Sequence, residues 1–335
     1  MIDGHGDDLW RYGDRVKHNF SSNISAFDHA RLMKYLAGEG DAVSSYPEPS
    51  PQSVENAIAA INGIGAENVM VTNGATEAIY LLAQTAARCK SAIIAPTFRE
   101  YQDACKIHGH SISFISSLSA IPKDSQLVWL CNPNNPTGNT LLKEKLIKTA
   151  RSHPDKIFII DQAYADYTLM ETLSAHDAVA AGNIILLGSM TKRFAIPGLR
   201  IGYAIGNSAL LDRVKAWRMP WGVNGLAINA ALFLIENRAD YKINATGLHA
   251  EALRIAKELT GMGIRVWPTD CNFILCELPD GTAAELKAYL IEQAGILIRD
   301  ASNFEGLNQC HFRVAAQTPE ENNLLITEIR QWITR

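Results

Sequence analysis

Residues 188–203 read GSMTKRFAIPGLRIGY and directly follow the apolar run NIILL at 183–187. That run has the length and composition of a buried strand, so Lys192 and Arg200 lie just beyond a strand end. In open α/β sheets, ligands bind outside the carboxyl ends of the strands. An ordinary surface loop could carry the same residues without any chemistry. The residues at the other strand ends must distinguish these two interpretations.

Further apolar runs alternate with segments of helical period. They are NVMVT (68–72), SAIIAP (91–96), LVWLCNP (127–133), KIFIIDQAY (156–164) and GLRIGYAIG (198–206). Strands that are apolar throughout are typical of a mostly parallel sheet with helices on both faces. We therefore predict a large α/β domain over residues 40–215. The mixture of helices and short strands that follows predicts a linking helix and a small α+β domain over 216–335, to which an N-terminal arm at 1–39 contributes.

The polar residues after these runs differ in chemistry from one strand end to the next. Small residues that open a helix could bind a phosphate, Phe98 could stack on a ring, and Asp161 could hold a proton on a heterocyclic nitrogen. Each has an ordinary alternative, such as a helix cap for Asp161. Together with an amine, they can hold a phosphorylated pyridine aldehyde. The candidates are Gly74, Ala75, Thr76, Phe98, Asn135, Asp161, Tyr164, Ser189, Lys192 and Arg200.

The composition is that of an ordinary globular protein. The 335 residues include 31 Lys and Arg and 35 Asp and Glu, a net charge of -4, without a basic block. We therefore expect no nucleic-acid partner. The absence of a long apolar run and of a secretory pattern predicts a cytoplasmic protein without membrane contact. The six cysteines lack CxxC spacing, which indicates free thiols and no metal site.

Three motifs carry a family resemblance that covers nearly the whole chain. NPNNPTG (132–138), DQAY (161–164) and SMTKRFAIPGLRIGY (189–203) together resemble the class I and II aminotransferases of fold type I. The resemblance implies an aspartate aminotransferase-like fold, with a mostly parallel seven-stranded sheet in the large domain. It also implies pyridoxal 5'-phosphate as the cofactor and a transaminase or decarboxylase as the enzyme.

The resemblance assigns roles around the cofactor ring. Lys192 would form the covalent carbon–nitrogen link to the cofactor aldehyde and later act as general acid and base. Asp161 would pair with the ring nitrogen. Asn135 and Tyr164 would hydrogen-bond the phenolic oxygen, and Phe98 would stack on the ring.

Other residues would bind the cofactor phosphate and the substrate. The start of the helix at 74–76, Ser189 and Arg200 would hold the phosphate. Tyr46 would reach the cofactor phosphate of a neighbouring subunit, which implies a homodimer with shared active sites. Arg313 in HFRVAA would bind the α-carboxylate of a small amino acid, because a planar guanidinium suits a carboxylate.

Two subfamilies fit best. GHGDDLWRYG (4–13), NFSSNIS (19–25), MPWGVN (219–224) and ILIRDASNFEGL (296–307) resemble L-threonine-O-3-phosphate decarboxylases of cobalamin synthesis. By this resemblance, Arg299, Asn23 and His5 would bind a substrate phosphate. Asp7, which replaces a glycine, and the missing arginines around Arg313 depart from that pattern. The alternatives are histidinol-phosphate aminotransferase or another amino acid aminotransferase, and, more remotely, a non-catalytic regulator that binds pyridoxal phosphate.

Overall fold

A computed structural model describes residues 7–335, so the predicted role of His5 falls outside the described residues. The strands are β1 (His18–Asn19), β2 (Val69–Thr72), β3 (Lys90–Ile94), β4 (Ser111–Ile115), β5 (Leu127–Cys131), β6 (Ile157–Asp161), β7 (Ile184–Ser189), β8 (Gly202–Gly206), β9 (Arg265–Val266), β10 (Phe273–Glu277), β11 (Ile296–Leu297), β12 (Arg299–Asp300) and β13 (His311–Ala315).

Helices connect and cover these strands. They are α1 (Leu9–Tyr12), α2 (Ala30–Ala37), α3 (Asp41–Ser44), α4 (Gln52–Asn62), α5 (Gly74–Thr85), α6 (Glu100–Ile107), α7 (Lys143–Ser152), α8 (Ala175–Ala181), α9 (Met190–Arg193), α10 (Ser208–Lys215), α11 (Gly225–Glu236), α12 (Ala245–Gly261), α13 (Ala283–Ala294) and α14 (Pro319–Ile333).

Seven strands form one sheet in the order β2-β8-β7-β6-β5-β3-β4. Strands β3 to β7 pair in parallel, whereas β8 runs antiparallel to both β2 and β7. This confirms the predicted mostly parallel sheet. The carboxyl ends of the parallel strands meet at one edge, and the segments that carry Asn135, Asp161 and Lys192 all leave the sheet there.

Helices cover both faces of this sheet because its central strands are buried on both sides. Leu130 and Ile160 pack in a core with residues of α4, α8 and α11. Their neighbours Trp129 and Ile159 point the other way, into a core with residues of α5 and α6. Successive side chains of a strand face opposite sides of a sheet, so strands that are apolar at every position need two such cores.

A second, antiparallel sheet has four strands in the order β12-β13-β10-β9, packed with α12, α13 and α14. Strand β1 pairs in parallel with β11 and so attaches the N-terminal segment to this region. Phe20 follows β1 and is fully buried in the same core. The boundaries at residues 39/40 and 215/216 stay a prediction.

Strand β4 is not among the apolar runs of the sequence, because it lies at the sheet edge and leaves most of its residues exposed.

All six cysteines are free thiols. Within residues 7–335, no helix combines the length and apolarity needed to cross a membrane, and no cluster of three or more His, Cys, Asp or Glu side chains is suited to a metal.

Candidate active site

A cavity of about 220 Å³ lies at the carboxyl edge of the seven-stranded sheet. Strands β12 and β13 of the second sheet supply part of its wall. Most of the residues predicted from the sequence line this cavity: Asn23, Ala75, Thr76, Phe98, Asn135, Asp161, Tyr164, Ser189, Lys192, Arg200, Arg299 and Arg313. Gly74 precedes the wall residue Ala75 in the chain, but neither Gly74 nor Tyr46 is part of the wall.

Asp161 is the last residue of β6 and is only 4% exposed. Its Oδ2 accepts a hydrogen bond from the Tyr101 hydroxyl at 2.8 Å, and its Oδ1 accepts one from the Ala163 backbone N–H at 2.9 Å. Burial raises the pKa of the carboxyl, while these two donors and the charge of Lys192 oppose that shift. A buried carboxylate held in this way is suited to retain a proton on a neighbouring ring nitrogen.

Lys192 lies in the single turn α9, directly after β7. The Tyr167 hydroxyl donates to the backbone oxygen of Lys192 at 2.8 Å and accepts from the Ser25 N–H at 3.0 Å, which fixes the backbone at this point. Burial, and then the positive charge of Arg313, lower the pKa of the Lys192 amine to about 8. The neutral, nucleophilic form of this amine is therefore accessible near neutral pH.

The start of α5 and Arg200 form a compact cradle. Gly74 has φ +75°, and a Cβ at this position would lie 2.5 Å from Nη2 of Arg200. Arg200 itself has φ +55°, after the Pro197 turn. A Cβ at Gly202 would lie 2.3 Å from the backbone nitrogen of Ala75. Glycines thus allow the guanidinium and β8 to approach the helix start, where free N–H groups favour an anion.

The residues predicted to contact the cofactor ring line the same cavity. Phe98 is half-buried, with its ring centroid 5.7 Å from that of Tyr101. Tyr164 is buried, which raises its pKa, and it packs edge-to-face on Phe273 at 5.0 Å. Asn135 is buried and its Oδ1 accepts from Nη1 of Arg313. Their contacts to a cofactor ring remain a prediction.

Arg313 is a buried cation on β13. Its Nη2 donates to the Ser21 backbone oxygen at 2.6 Å, but its Nε is buried without a hydrogen-bond partner. The amide of Asn23 lies beside the Tyr164 phenol and lowers its pKa, yet neither polar atom of Asn23 has a hydrogen bond of normal geometry. Buried polar groups are normally paired, so these atoms indicate a missing polar ligand.

Arg299 approaches the cavity from β12. Its Nη2 donates to Oδ1 of Asn303 at 2.7 Å, and its guanidinium lies 5.2 Å from the Phe304 ring centroid. Burial, and then the charge of Arg313, lower its pKa to about 10. Arg99, which the sequence analysis did not select, also lines the cavity and adds to this positive charge.

Asp7 brings a carboxylate to this positive cavity. Its Oδ1 accepts from Nδ2 of Asn19 at 2.7 Å, and its N–H donates to Oγ of Ser21 at 3.1 Å. The charge of Asp7 raises the pKa of Lys192, opposing the larger effect of burial. The departure noted in the sequence therefore lies in the site itself.

Tyr46 lies outside the cavity and is 87% exposed, with its ring centroid 5.5 Å from that of Trp221. Contact of Tyr46 with the cofactor phosphate of another subunit stays a prediction.

The residues present fit pyridoxal phosphate. The glycine-lined cradle at Arg200 suits its phosphate, the paired Asp161 suits its ring nitrogen, and Lys192 offers an amine of lowered pKa. Arg99 and Tyr101 are not among the residues predicted from the sequence. Arg99 directly follows Phe98 in the segment after β3, so its position in the sequence could have indicated it. Tyr101 contacts Asp161 although 60 positions separate them in the sequence, so no local pattern predicts this contact.

Comparison with known proteins identifies the family. Residues 15–329 match the family model Aminotransferase class I and II. The chain is 30% identical to the threonine-phosphate decarboxylase of Salmonella typhimurium, over 94% of this chain and 91% of that protein. It is 30% identical to the histidinol-phosphate aminotransferase of Thermoanaerobacter pseudethanolicus, over 86% of this chain and 84% of that protein.

A solved structure is similar over nearly its whole length. The L-threonine-O-3-phosphate decarboxylase of Porphyromonas gingivalis superimposes with a TM-score of 0.93 and 34% identity, covering 95% of this chain and 100% of that one. The predicted aspartate aminotransferase-like fold is confirmed. The chain belongs to the class I and II aminotransferase family and is a pyridoxal-phosphate-dependent enzyme.

Proposed function

We propose that this enzyme removes the α-carboxylate from a small amino acid bearing a second anionic group, with L-threonine O-3-phosphate as the preferred candidate. The observation that carries this proposal is the number of arginines in one small cavity. Arg200 is needed for the cofactor phosphate and Arg313 suits a substrate α-carboxylate. Arg299 and Arg99 line the same cavity and supply positive charge beyond these two needs. These two guanidinium groups could hold a phosphate on the substrate.

The relatives named as threonine-phosphate decarboxylases support the same choice, because they match nearly the whole chain. The site residues Arg299 and Asn23 belong to sequence segments that resemble that subfamily, and both lie in the cavity wall. Their role in holding a substrate phosphate is part of the proposal. His5 was assigned the same role and remains a candidate on sequence alone.

The side chains of this chain have defined tasks in the proposed reaction. Bound pyridoxal phosphate supplies an electron-withdrawing ring conjugated to the substrate nitrogen. Asp161 keeps the ring nitrogen protonated, and Arg313 orients the carboxylate. As carbon dioxide leaves, Cα keeps the electron pair of the broken bond, and Lys192 donates the proton that replaces the carboxylate.

A second candidate function is favoured by one specific observation, the carboxylate of Asp7 in the cavity. Asp7 is poorly placed beside a phosphate but could accept a hydrogen bond from an imidazole N–H. Histidinol phosphate carries both an imidazole and a phosphate, and the relatives include histidinol-phosphate aminotransferases. In that reaction Lys192 would move a proton from Cα to the cofactor carbon rather than replace a carboxylate.

The test is to incubate the purified holoenzyme with L-threonine O-3-phosphate, and separately with histidinol phosphate plus 2-oxoglutarate. Carbon dioxide and 1-aminopropan-2-yl phosphate in the first reaction support the decarboxylase. Glutamate in the second reaction without gas in the first supports the aminotransferase instead. Lys192→Ala is the control, since loss of the amine should abolish either reaction. Activity on neither substrate would overturn both candidates.

We also infer that the enzyme is a homodimer with shared sites. The support is an exposed apolar patch formed by Val43, Tyr46, Met219 and Trp221. Backbone pairing joins its two segments, because the Trp221 N–H donates to the Pro49 oxygen at 2.9 Å. Exposed aromatic and methionine side chains are enriched in protein interfaces. Sedimentation equilibrium of the wild type and of Val43→Glu/Met219→Glu tests this, and a monomeric wild type would overturn it.

A further inference from the structure

A second cavity, of about 500 Å³, lies behind the catalytic one. We call it the rear cavity. It lies between the ends of α4 and α11 and the sheet strands β7 and β8, and it is separate from every residue assigned above to substrate. Ala163 and Ser189 line both cavities, so a single layer of residues divides them.

The floor of the rear cavity is apolar. Aliphatic side chains from two helices and three other segments form it: Ile58, Ile61, Leu173, Leu186, Ile205 and Ile235. Small-molecule sites are mostly apolar concavities of about 300–1,000 Å³ with a few placed polar groups. The rear cavity has this size and this kind of floor. An apolar body could pack on this part of the wall.

The polar groups of the rear cavity carry an excess of positive charge. Arg193 and Arg238 both line it, and the only carboxylate among its described lining residues is Asp166, which pairs with Arg193. Burial, and then the charge of Arg238, lower the pKa of Arg193. His176 also lines the rear cavity. Together with the carboxylate of Asp166, one further negative charge would neutralise the guanidinium groups of Arg193 and Arg238.

A hydroxyl donor is also available. Tyr203 lines the rear cavity, and its hydroxyl makes no hydrogen bond with any described residue. Its ring lies against Gly188, where a Cβ would lie only 2.2 Å from the ring. Because Gly188 has no side chain, the Tyr203 ring can pack directly on β7. Arg193 and Tyr203 line the same cavity, so one anion there can contact both the guanidinium and the phenol. Burial raises the pKa of Tyr203, and the charge of Arg193 opposes this shift.

We propose that the rear cavity is a binding site for a small monocarboxylate with an apolar body. The carboxylate is held by the Arg193 donors that Asp166 does not use and by the Tyr203 hydroxyl, with the charge of Arg238 at the mouth to balance it, and the apolar part lies on the aliphatic floor. A single negative charge suits the site better than a phosphate dianion, because only one guanidinium charge lacks a carboxylate. This site is distinct from the substrate site, and its existence does not depend on which reaction the enzyme catalyses.

The test uses the holoenzyme and two probes, 4-phenylbutyrate and the uncharged 4-phenylbutan-1-ol, in titration calorimetry. We expect the carboxylate to bind at least about 10-fold more tightly than the alcohol. Arg193→Met should weaken its binding by about 10- to 100-fold, and Tyr203→Phe by about 3- to 10-fold. Arg151→Met, on the exposed face of α7, is the matched control and should bind like the wild type.

Binding to the catalytic cavity is distinguished by Arg313→Met. If this change abolishes binding while Arg193→Met and Tyr203→Phe do not, the probe occupies the substrate site and the proposal is wrong. Equal affinity for acid and alcohol, or no heat of binding with the wild type at millimolar probe, would also overturn it. If Arg193→Met fails to fold, Tyr203→Phe and Arg238→Met test the same site, because each should weaken binding of the carboxylate probe.

Discussion

Arg99 donates a hydrogen bond from Nη1 to the backbone oxygen of Asn303, 3.3 Å away, and so connects the start of α6 to the segment after β12. Arg299 reaches the same residue from the other side, with Nη2 2.7 Å from Oδ1 of Asn303. Asp103 orients Arg99 through a 3.3 Å ion pair. Two guanidinium groups, one just before α6 and one on β12, thus converge at the catalytic cavity, where an anionic substrate group could bind between them.

Arg99→Gln should therefore weaken recognition of a phosphorylated substrate. We expect kcat/KM for threonine phosphate to fall by about 10- to 100-fold, because a charge-assisted hydrogen bond contributes about 1.5–3 kcal/mol. Unphosphorylated threonine lacks the second anion, and its kcat/KM should change by less than about threefold. Steady-state carbon dioxide release measures both values. An equal loss for the two substrates would show that Arg99 stabilises the structure rather than binds the substrate. Arg99→Lys keeps the positive charge, so it should retain part of the wild-type preference for the phosphorylated substrate.

A second prediction follows from the lowered pKa of Lys192. The neutral amine is the form that attacks the cofactor aldehyde, so the rate of cofactor uptake by the apoenzyme should rise with pH and level off above about pH 8. Free lysine under the same conditions gives the reference and corrects for titration of the cofactor. Stopped-flow absorbance measures the rate. A midpoint close to that of free lysine would contradict the prediction.

The direction of this shift can be tested through Arg313. Burial is the main cause of the lowered pKa of Lys192, and repulsion by Arg313 is the next. Arg313→Met removes one positive charge, so the midpoint of cofactor uptake should move to higher pH. Arg330→Met, an exposed change on α14, should leave it in place. An unchanged midpoint in Arg313→Met would mean that Arg313 does not contribute to the lowered pKa of Lys192.

The sequence predicts those parts of this protein that depend on local pattern. The buried strands β5 to β7 are continuous apolar runs, and the residues that follow them lie in one cavity because parallel strands end at one edge. Edge strand β4 is not predicted in this way, because a strand with exposed residues is not a continuous apolar run. Motif resemblance supplies the cofactor, which periodicity alone does not.

Contacts between distant segments are harder to predict. The hydrogen bond from Tyr101 to Asp161 and the approach of Arg99 to Asn303 depend on how α6 packs against the sheet. The rear cavity depends on the separation of α4, α11 and β7, to which no short motif corresponds. Such features follow from packing and become visible only in three dimensions.

A further prediction concerns the phosphate cradle. Gly74→Ala should weaken pyridoxal phosphate binding by about 10-fold or more, because the new Cβ would lie 2.5 Å from Nη2 of Arg200 and displace it. The positive φ of +75° adds a backbone cost of about 1–3 kcal/mol. Fluorescence titration of the apoenzyme and thermal unfolding measure the two effects.

Gly198→Ala is the matched control for this prediction. Gly198 lies in the turn before Arg200, its φ is not in the left-handed region, and a Cβ there would meet no atom within 4 Å. Both cofactor affinity and stability should therefore stay close to those of the wild type. Equal losses in the two variants would contradict a specific role for the contact between Gly74 and Arg200.

The last prediction tests whether Tyr46 acts in a neighbouring subunit. Tyr46 is exposed and lies outside the cavity of its own chain, although the family resemblance gives it a role at the cofactor phosphate. Tyr46→Ala should therefore lower cofactor affinity and activity, and Lys192→Ala should abolish activity. If sites are shared, a mixed dimer of the two variants contains one site with both residues intact. Random reassociation makes about half of the dimers mixed, so the mixture should recover about a quarter of wild-type activity. Activity no higher than the average of the separate variants would place Tyr46 outside the partner's site.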